Sequence, residues 1–236
     1  MIIHILTLFP EVFEPIFNSS ILKRAQDKKI VQIRLHNLRN WATDKHGTVD
    51  DRPYGGGPGM ILKIEPIYQA IKDIKAKNKQ IEVFLLSPRG ETFNQKLAQK
   101  IANFKEILLI CGHYEGFDER IRQFVDGEIS IGDYILTGGE IAAMVITDAV
   151  IRLLPDVLKK PEAIKTESFS AQLAQLAKNT ATKRKNNRQK LDKTPYLEYP
   201  QYTRPQKFKG LTVPKILLSG DHEKIKKWQK KHIKRR

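Results

Sequence analysis

The sequence is short of cysteine and of acidic residues, and it has no apolar run long enough for a membrane. One cysteine, Cys111, stands among 236 residues, so no internal disulfide can form and a reducing cytoplasm is the expected setting. Cys111 closes the apolar run Ile107 to Ile110 and reads as a small core residue rather than a nucleophile. No stretch reaches the roughly 18 apolar residues that a spanning helix needs, so no membrane partner is expected. The apolar start, Met1 to Phe9, lacks a basic leader and a small-residue cleavage site, and Pro10 and Glu11 end it; it reads as a strand, not a secretion signal. Acidic residues number 26 against 42 Lys and Arg, a net charge of +16. That excess argues for a polyanionic partner, most simply nucleic acid, although a genome rich in A and T would also load a solvated surface with Lys and Asn. With 40% hydrophobic and 29% charged residues, the chain is neither wholly disordered nor a membrane protein. Its length suits one full-sized domain, alone or with a small second one.

Familiar signatures are missing too. Neither G-x-G-x-x-G nor G-x-x-x-x-G-K-[ST] occurs, so the usual dinucleotide and Walker-type phosphate loops are unsupported. H-E-x-x-H, paired C-x-x-C and G-x-S-x-G are also absent, which removes the common zinc sites and the nucleophile elbow. No internal repeat is present.

What is present is alternation. Ile2 to Leu8 reads as a buried strand, Val12 to Gln26 as a helix and Ile30 to Leu35 as an alternating strand. Asn37 to Met60 is long and irregular, and its Gly- and Pro-rich end argues against helix and strand alike. Glu65 to Lys77 is an amphipathic helix with Pro66 in its first turn. Ile81 to Leu86 is the next strand, followed by a loop from Ser87; Asn94 to Phe104 is helical and Glu106 to Ile110 is strand. A further loop from Cys111 runs into a helix, Asp118 to Phe124. Ser130 to Glu140 places Gly132, Gly138 and Gly139 between a strand and the apolar run Ile141 to Leu154, which reads as one long buried helix. Glycines at such a junction allow backbone to wrap a small ligand, though a plain turn would use them as well.

Strands alternating with helices predict an α/β domain with a mostly parallel sheet. Ligands of such sheets gather beyond the carboxyl ends of the strands, so the loops at Ser87, Gly112 and Ile131 are expected to share a pocket. After Leu154, Pro155 and Pro161 break the helix and a polar region follows. Within it Lys178 to Lys193 holds seven Lys or Arg against one acid, Asp192, with no apolar period beyond Leu173 and Leu176; it reads as a linker ordered by binding. A small C-terminal module closes the chain, with a short strand at Ile216 to Leu218 and a helix capped by Asp221. From Lys224 to Arg236 there are eight Lys or Arg and no acid. Trp228 can stack on a base there, but Trp228, Ile225 and Ile233 as the core face of an amphipathic helix is the stronger reading.

Five stretches occur in order: D-D-R-P-Y-G-G-G-P-G-M from Asp50, L-S-P-R-G from Leu86, C-G-H-Y-E-G-F-D-E-R from Cys111, S-I-G-D-Y-I-L-T-G-G-E from Ser130 and Y-P-Q-Y-T-R-P from Tyr199. Together they resemble the bacterial tRNA (guanine-N1)-methyltransferases of the SPOUT class. The resemblance implies a trefoil-knotted α/β domain over 1–160, a basic linker with an insertion over 161–198, and a small, mainly helical tRNA-binding domain over 199–236. It also implies a homodimer in the cytoplasm that binds S-adenosylmethionine and modifies guanosine 37 of tRNA, 3′ of the anticodon. The implied cofactor residues are Ser87, Pro88, Gly112, Tyr114, Glu115, Ile131, Gly132, Asp133, Tyr134, Ile135, Leu136, Gly138 and Gly139. Asp50, Arg52, Tyr54, Gly57 and Arg204 are the implied substrate contacts. Magnesium is implied by the family, but no carboxylate cluster identifies a metal site.

Methyl transfer from a sulfonium is an in-line displacement, so the protein must chiefly align the reactants and prepare the nucleophile. Guanine N1 carries a proton at neutral pH, so a carboxylate must take it while a cation stabilises charge on O6. The resemblance assigns the cation to Arg152, for which an ion pair with Asp148 is the alternative use. The family's base is an aspartate before Ser-Phe, and here T-E-S-F puts Glu167 in its place. The extra methylene leaves three options: Glu167 serves, another acid such as Asp192 takes over, or the enzyme is slow. A second departure is the insertion Ala171 to Tyr196, whose basic residues are expected to contact phosphates. Two other readings stay open, a knotted methyltransferase acting on another RNA and an RNA-binding protein that has lost catalysis.

Overall fold

The computed structural model describes residues 1–78, 80–160, 162–170, 175 and 195–235. The basic stretch Lys178 to Lys193, with Asp192, lies outside them, as do Leu173 and Leu176. Two compact units divide the chain, Met1–Lys159 and Lys160–Arg236.

The first unit opens with β1 (Ile2–Thr7), a 3-10 turn Pro10–Phe13 and the short helix α1 (Glu14–Phe17), then α2 (Ser20–Asp27) and β2 (Gln32–Asn37). A 3-10 turn, Leu38–Trp41, follows, and the two-residue strands β3 (Asp50–Asp51) and β4 (Ile61–Leu62) pair antiparallel. Next come α3 (Ile64–Lys77), β5 (Glu82–Thr92), α4 (Gln95–Ile101), β6 (Glu106–Cys111), a 3-10 segment Glu119–Phe124, β7 (Gly127–Ser130) and α5 (Glu140–Ile151). The main sheet has the order β2-β1-β6-β5-β7, and all of its pairings are parallel.

Parallel strands covered on both faces must be apolar on both, which is why β1 and β6 read as near-continuous hydrophobic runs. Pleating sends Ile3, Ile5, Phe84, Leu86, Ile107 and Leu109 to one face, where α2, α4 and α5 cover them. Leu6, Val83, Leu85, Leu108 and Ile110 point the other way, against α3 and the segment Glu119–Phe124. The side chain of Asn94 caps α4 by accepting from the Leu97 N–H at 3.0 Å, which satisfies one of the donors a helix start leaves unpaired.

Several local expectations are corrected. The single helix expected over Val12 to Gln26 is broken at Asn18 and Ser19, residues whose short polar side chains compete for backbone partners; Ser19 Oγ donates to the Ile16 carbonyl at 2.8 Å. The loop expected at Ser87 is an irregular part of β5: pairing with β7 lapses after Leu86 and resumes at Glu91, both opposite Ile129. Pro88 has no N–H to offer a ladder, which suits it to that gap. Asp118 to Phe124 forms 3-10 rather than α-helix, and Asp50–Asp51 makes strand pairs within the segment read as irregular. Nor is α5 wholly buried, since Ile141 is 54% and Val145 42% exposed.

In the second unit α6 (Ala163–Thr166) precedes β8 (Tyr196–Leu197), β9 (Lys207–Phe208) and β10 (Leu211–Thr212), then α7 (His222–Lys231) and β11 (Lys234–Arg235). Two small antiparallel ladders, β9 with β10 and β8 with β11, make this unit mixed rather than mainly helical. Ile216 to Leu218, expected as strand, is a 3-10 turn after Pro214, an ambiguity inherent in short apolar runs. Asp221 caps α7, accepting from the Lys224 N–H at 3.0 Å. No described helix is long and apolar enough to cross a membrane.

A polar cluster lies inside the sheet. His4 Nε2 meets Glu106 Oε1 at 2.7 Å, His4 Nδ1 meets His36 Nε2 at 2.8 Å, and Asn78 donates to Glu106 Oε2 at 2.6 Å. Burial pushes the Glu106 carboxyl up, but the hydrogen bonds from Asn78 and His4 and the charges of His4 and Arg34 outweigh it and hold the group below its ordinary value. A depressed carboxyl stabilises the fold fully above the unfolded group's titration, and that stability is lost as pH falls through the folded value. Urea unfolding should therefore show Glu106→Ala losing about 3 kcal/mol at pH 7, since His4 and Asn78 are left without their partner. Glu106→Gln should flatten the loss of stability that the wild-type protein shows below the ordinary carboxylate range.

Candidate active site

The irregular stretch of β5 from Ser87 and the loops after β6 and β7 meet at one end of the sheet. Gly139 N–H donates to the Gly112 carbonyl at 2.8 Å, and His113 and Gly138 form an isolated antiparallel bridge. The approach is close enough that a Cβ on Gly139 would lie 2.7 Å from both Cys111 Cα and Gly112 N, so only glycine fits without moving backbone. The glycine-rich segment before β4 joins the same assembly, with Glu115 N–H bonded to the Met60 carbonyl at 3.0 Å and Leu62 N–H to Gly116 at 2.9 Å. Gly59, at φ +81°, packs under the Glu115 side chain; a Cβ there would sit 2.5 Å from Glu115 Cγ.

These loops enclose a cavity of about 250 Å³. Ser87, Pro88, Gly112, Tyr114, Glu115, Ile131, Gly132, Tyr134, Ile135, Leu136, Gly138 and Gly139 line it, whereas Asp133, among the residues expected there, is exposed and outside the lining. Leu86, Ile129 and Ala142 add apolar wall, and His113 Nδ1 is buried with no hydrogen-bond partner. A second, larger cavity of about 940 Å³ shares Ser87, Pro88, Glu115, Gly116 and Phe117 with the first. Arg52 and Tyr54 line this one, while Asp50 and Gly57 do not. Arg204, in the second unit, is exposed.

Several charges around the two cavities are paired. Ser87 Oγ donates to Glu128 Oε1 at 2.5 Å, and Arg122 holds the other oxygen of that carboxylate. Arg120 chelates Asp118, with contacts of 2.9 and 2.6 Å; its guanidinium holds the Asp118 carboxyl below the usual range against the opposing effect of burial. Behind the cavity the buried Glu140 accepts from Thr7 Oγ1 at 2.7 Å. Burial, and then the Glu140 charge, pushes the Cys111 thiol well up, so this cysteine stays protonated and unreactive.

Arg152 caps the carboxyl end of α5 in the first unit and is half-buried. Glu167 follows α6 in the second, in extended backbone, and its carbonyl accepts from the Ser170 N–H at 3.1 Å. Its neighbour Ser168 is fixed by the Glu198 N–H, which donates to Ser168 Oγ at 3.0 Å. Among the described residues no group of three or more His, Cys, Asp or Glu is placed to hold a metal ion. Sequence reasoning missed Arg122 and Glu128, which lie six residues apart in no recognisable pattern; His113 and Phe117 sit inside a motif already singled out.

Comparison with known proteins gives these loops a lineage. The family model described as tRNA (Guanine-1)-methyltransferase TrmD matches residues 1–236. A tRNA (guanine-N(1)-)-methyltransferase of Carboxydothermus hydrogenoformans is 53% identical over 232 residues, 98% of this chain and 82% of that protein. One from Dictyoglomus turgidum is 50% identical over 229 residues, 97% of this chain and 83% of the other. Among solved structures, the tRNA (m1G37) methyltransferase from Aquifex aeolicus superposes with a TM-score of 0.75 at 38% identity, covering 98% of this chain and 88% of that one. With a full-length match and half the residues shared, the chain that folds these glycine loops around a cavity at the end of its parallel sheet belongs to the tRNA (guanine-1)-methyltransferase family.

Proposed function

We propose that the protein transfers a methyl group from S-adenosylmethionine to N1 of guanosine 37 in tRNA. One observation carries the reading: apart from Asp133, every residue that the family resemblance assigns to the cofactor lines a single cavity. The lining suits that group, because Leu86, Ile129, Ile131 and Ala142 offer apolar walls to a flat purine while the unpartnered His113 Nδ1 and loop backbone offer polar contacts. When bound, S-adenosylmethionine supplies a methyl group already activated on a sulfonium. The chain's own work is then alignment and proton removal. Glu128 and Arg122 fix the Ser87 hydroxyl, and the adjoining larger cavity, bordered by Arg52 and Tyr54, receives the nucleotide. Asp50, Gly57 and Arg204 contribute further substrate contacts. Glu167 takes the N1 proton, and Arg152 stabilises the charge that gathers on O6.

The proposal extends to threading and assembly. The segment after β7, at the sheet edge, reaches past β5 to bond with the loop of β6, which supports the trefoil-knotted form. Ile141 and Val145 on α5, and Val12 on the 3-10 turn that packs against it, are exposed apolar residues that support a homodimer. The lysines of α7 support tRNA contact by the second unit, and a tRNA substrate supports a cytoplasmic setting.

With labelled S-adenosylmethionine, a tRNA transcript bearing G37 should acquire label and a G37→A transcript should not. Glu167→Ala and Arg152→Ala should each lower kcat by on the order of 10²-fold or more; full activity in Glu167→Ala would remove it as the base. Calorimetry should show Gly139→Ala weakening S-adenosylmethionine binding by more than about tenfold, because the new methyl forces the loops apart.

A further inference from the structure

In the second unit β9 and β10 form a minimal hairpin: Phe208 pairs with Leu211 and Lys207 with Thr212, and the Val213 N–H donates to the Gln206 carbonyl at 3.0 Å. Lys209 and Gly210 make the turn at φ +45° and +83°. Left-handed backbone at both central positions is the geometry hairpins use to match strand twist, and it normally takes Asn-Gly or Gly-Gly. A lysine in the first position is strained. Its ammonium lies 5.7 Å from the centre of the Phe208 ring.

Cross-strand partners share a face. Phe208 and Leu211 therefore stand side by side, 61% and 75% exposed, and Lys207 and Thr212 occupy the reverse. Two apolar side chains cover far less than the roughly 1,000 Å² that a stable protein interface needs. A single nucleobase is matched to one such ring, and Lys209 beside it complements a phosphate. We propose that this tip docks one unpaired nucleotide of the RNA: its base stacks on Phe208 beside Leu211, and Lys209 pairs with an adjacent phosphate. The proposal rests on the RNA substrate argued above and adds a contact that the second unit makes by itself.

The test measures binding of the full chain to an unmodified tRNA transcript by fluorescence anisotropy over a salt series, together with methyl transfer. Phe208→Ala and Phe208→Leu should lose roughly 5- to 150-fold in affinity, Phe208→Trp should retain it, and kcat at saturating tRNA should be unchanged. Lys209→Asn relaxes the turn, so a purely structural role predicts unaltered or tighter binding. The proposal predicts weaker binding, with a log–log salt slope shallower by about 0.7. Affinity preserved in Phe208→Leu overturns the stacking role, and so does a loss accompanied by dissociation of a dimer in size-exclusion runs, which would assign the tip to a second copy. Wild-type methylation with unaltered variants removes the hairpin's role alone. A wild-type chain that neither binds nor methylates the transcript removes the RNA reading and this contact with it.

Discussion

The contact on which the first unit depends is the backbone approach of Gly139 to Cys111 and Gly112. It joins two loops whose strands are not neighbours in the sheet, since β5 lies between β6 and β7. Because no side chain intervenes, the start of α5 is pinned against the end of β6, and the buried Glu140 can reach across to Thr7 on β1. The cavity is the space left beside that junction. Its inner wall is thus set by backbone geometry and by packed strands, and the exposed side chains of Tyr114, Tyr134 and Ile135 complete the lining.

Much of this frame was legible in the sequence, for a physical reason. Strands buried on both faces must be apolar throughout, so Ile2 to Leu8 and Glu106 to Ile110 announced themselves, and the glycine loops marked the ends of strands. Local competition was harder to read. The break at Asn18 and Ser19 depends on side-chain hydrogen bonds that propensity cannot rank. The Ser87 stretch carries turn residues, yet it stays in β5 because Ile129 accepts strand partners on both sides of the irregularity. The pairing of Arg122 and Glu128 below Ser87 is a purely tertiary fact, and nothing in their spacing foretells it.

The site residues divide in the same way. Those carried on motifs, from Ser87 to Gly139, gather around one cavity because the motifs lie at the irregularity of β5 and at the ends of β6 and β7 in the same sheet. Asp133 shares a motif with them but faces solvent, as short loops must present some residues outward. Arg152 and Glu167 lie on different compact units, the second held together by its own ladders and capped helix. Positive charge follows the same division of labour. Around the cavities arginines are paired with Glu119, Glu128 and Asp118, whereas α7 displays lysines. Ordered arginine pairs suit a shaped pocket, and a run of surface lysines suits a long polyanion.

The position of β1 bears on synthesis. β1, which precedes the other strands in the sequence, lies inside the finished sheet, with β2 on one side and β6 on the other. Until residues 106–111 emerge, one edge of an apolar strand has no neighbour, and β5 has nothing to extend. Non-local parallel pairing of this kind folds slowly and leaves a sticky edge uncovered while it waits. The nascent chain is therefore vulnerable to aggregation until β6 is made, and shielding Ile2–Thr7 in that interval is a demand the fold places on the cell.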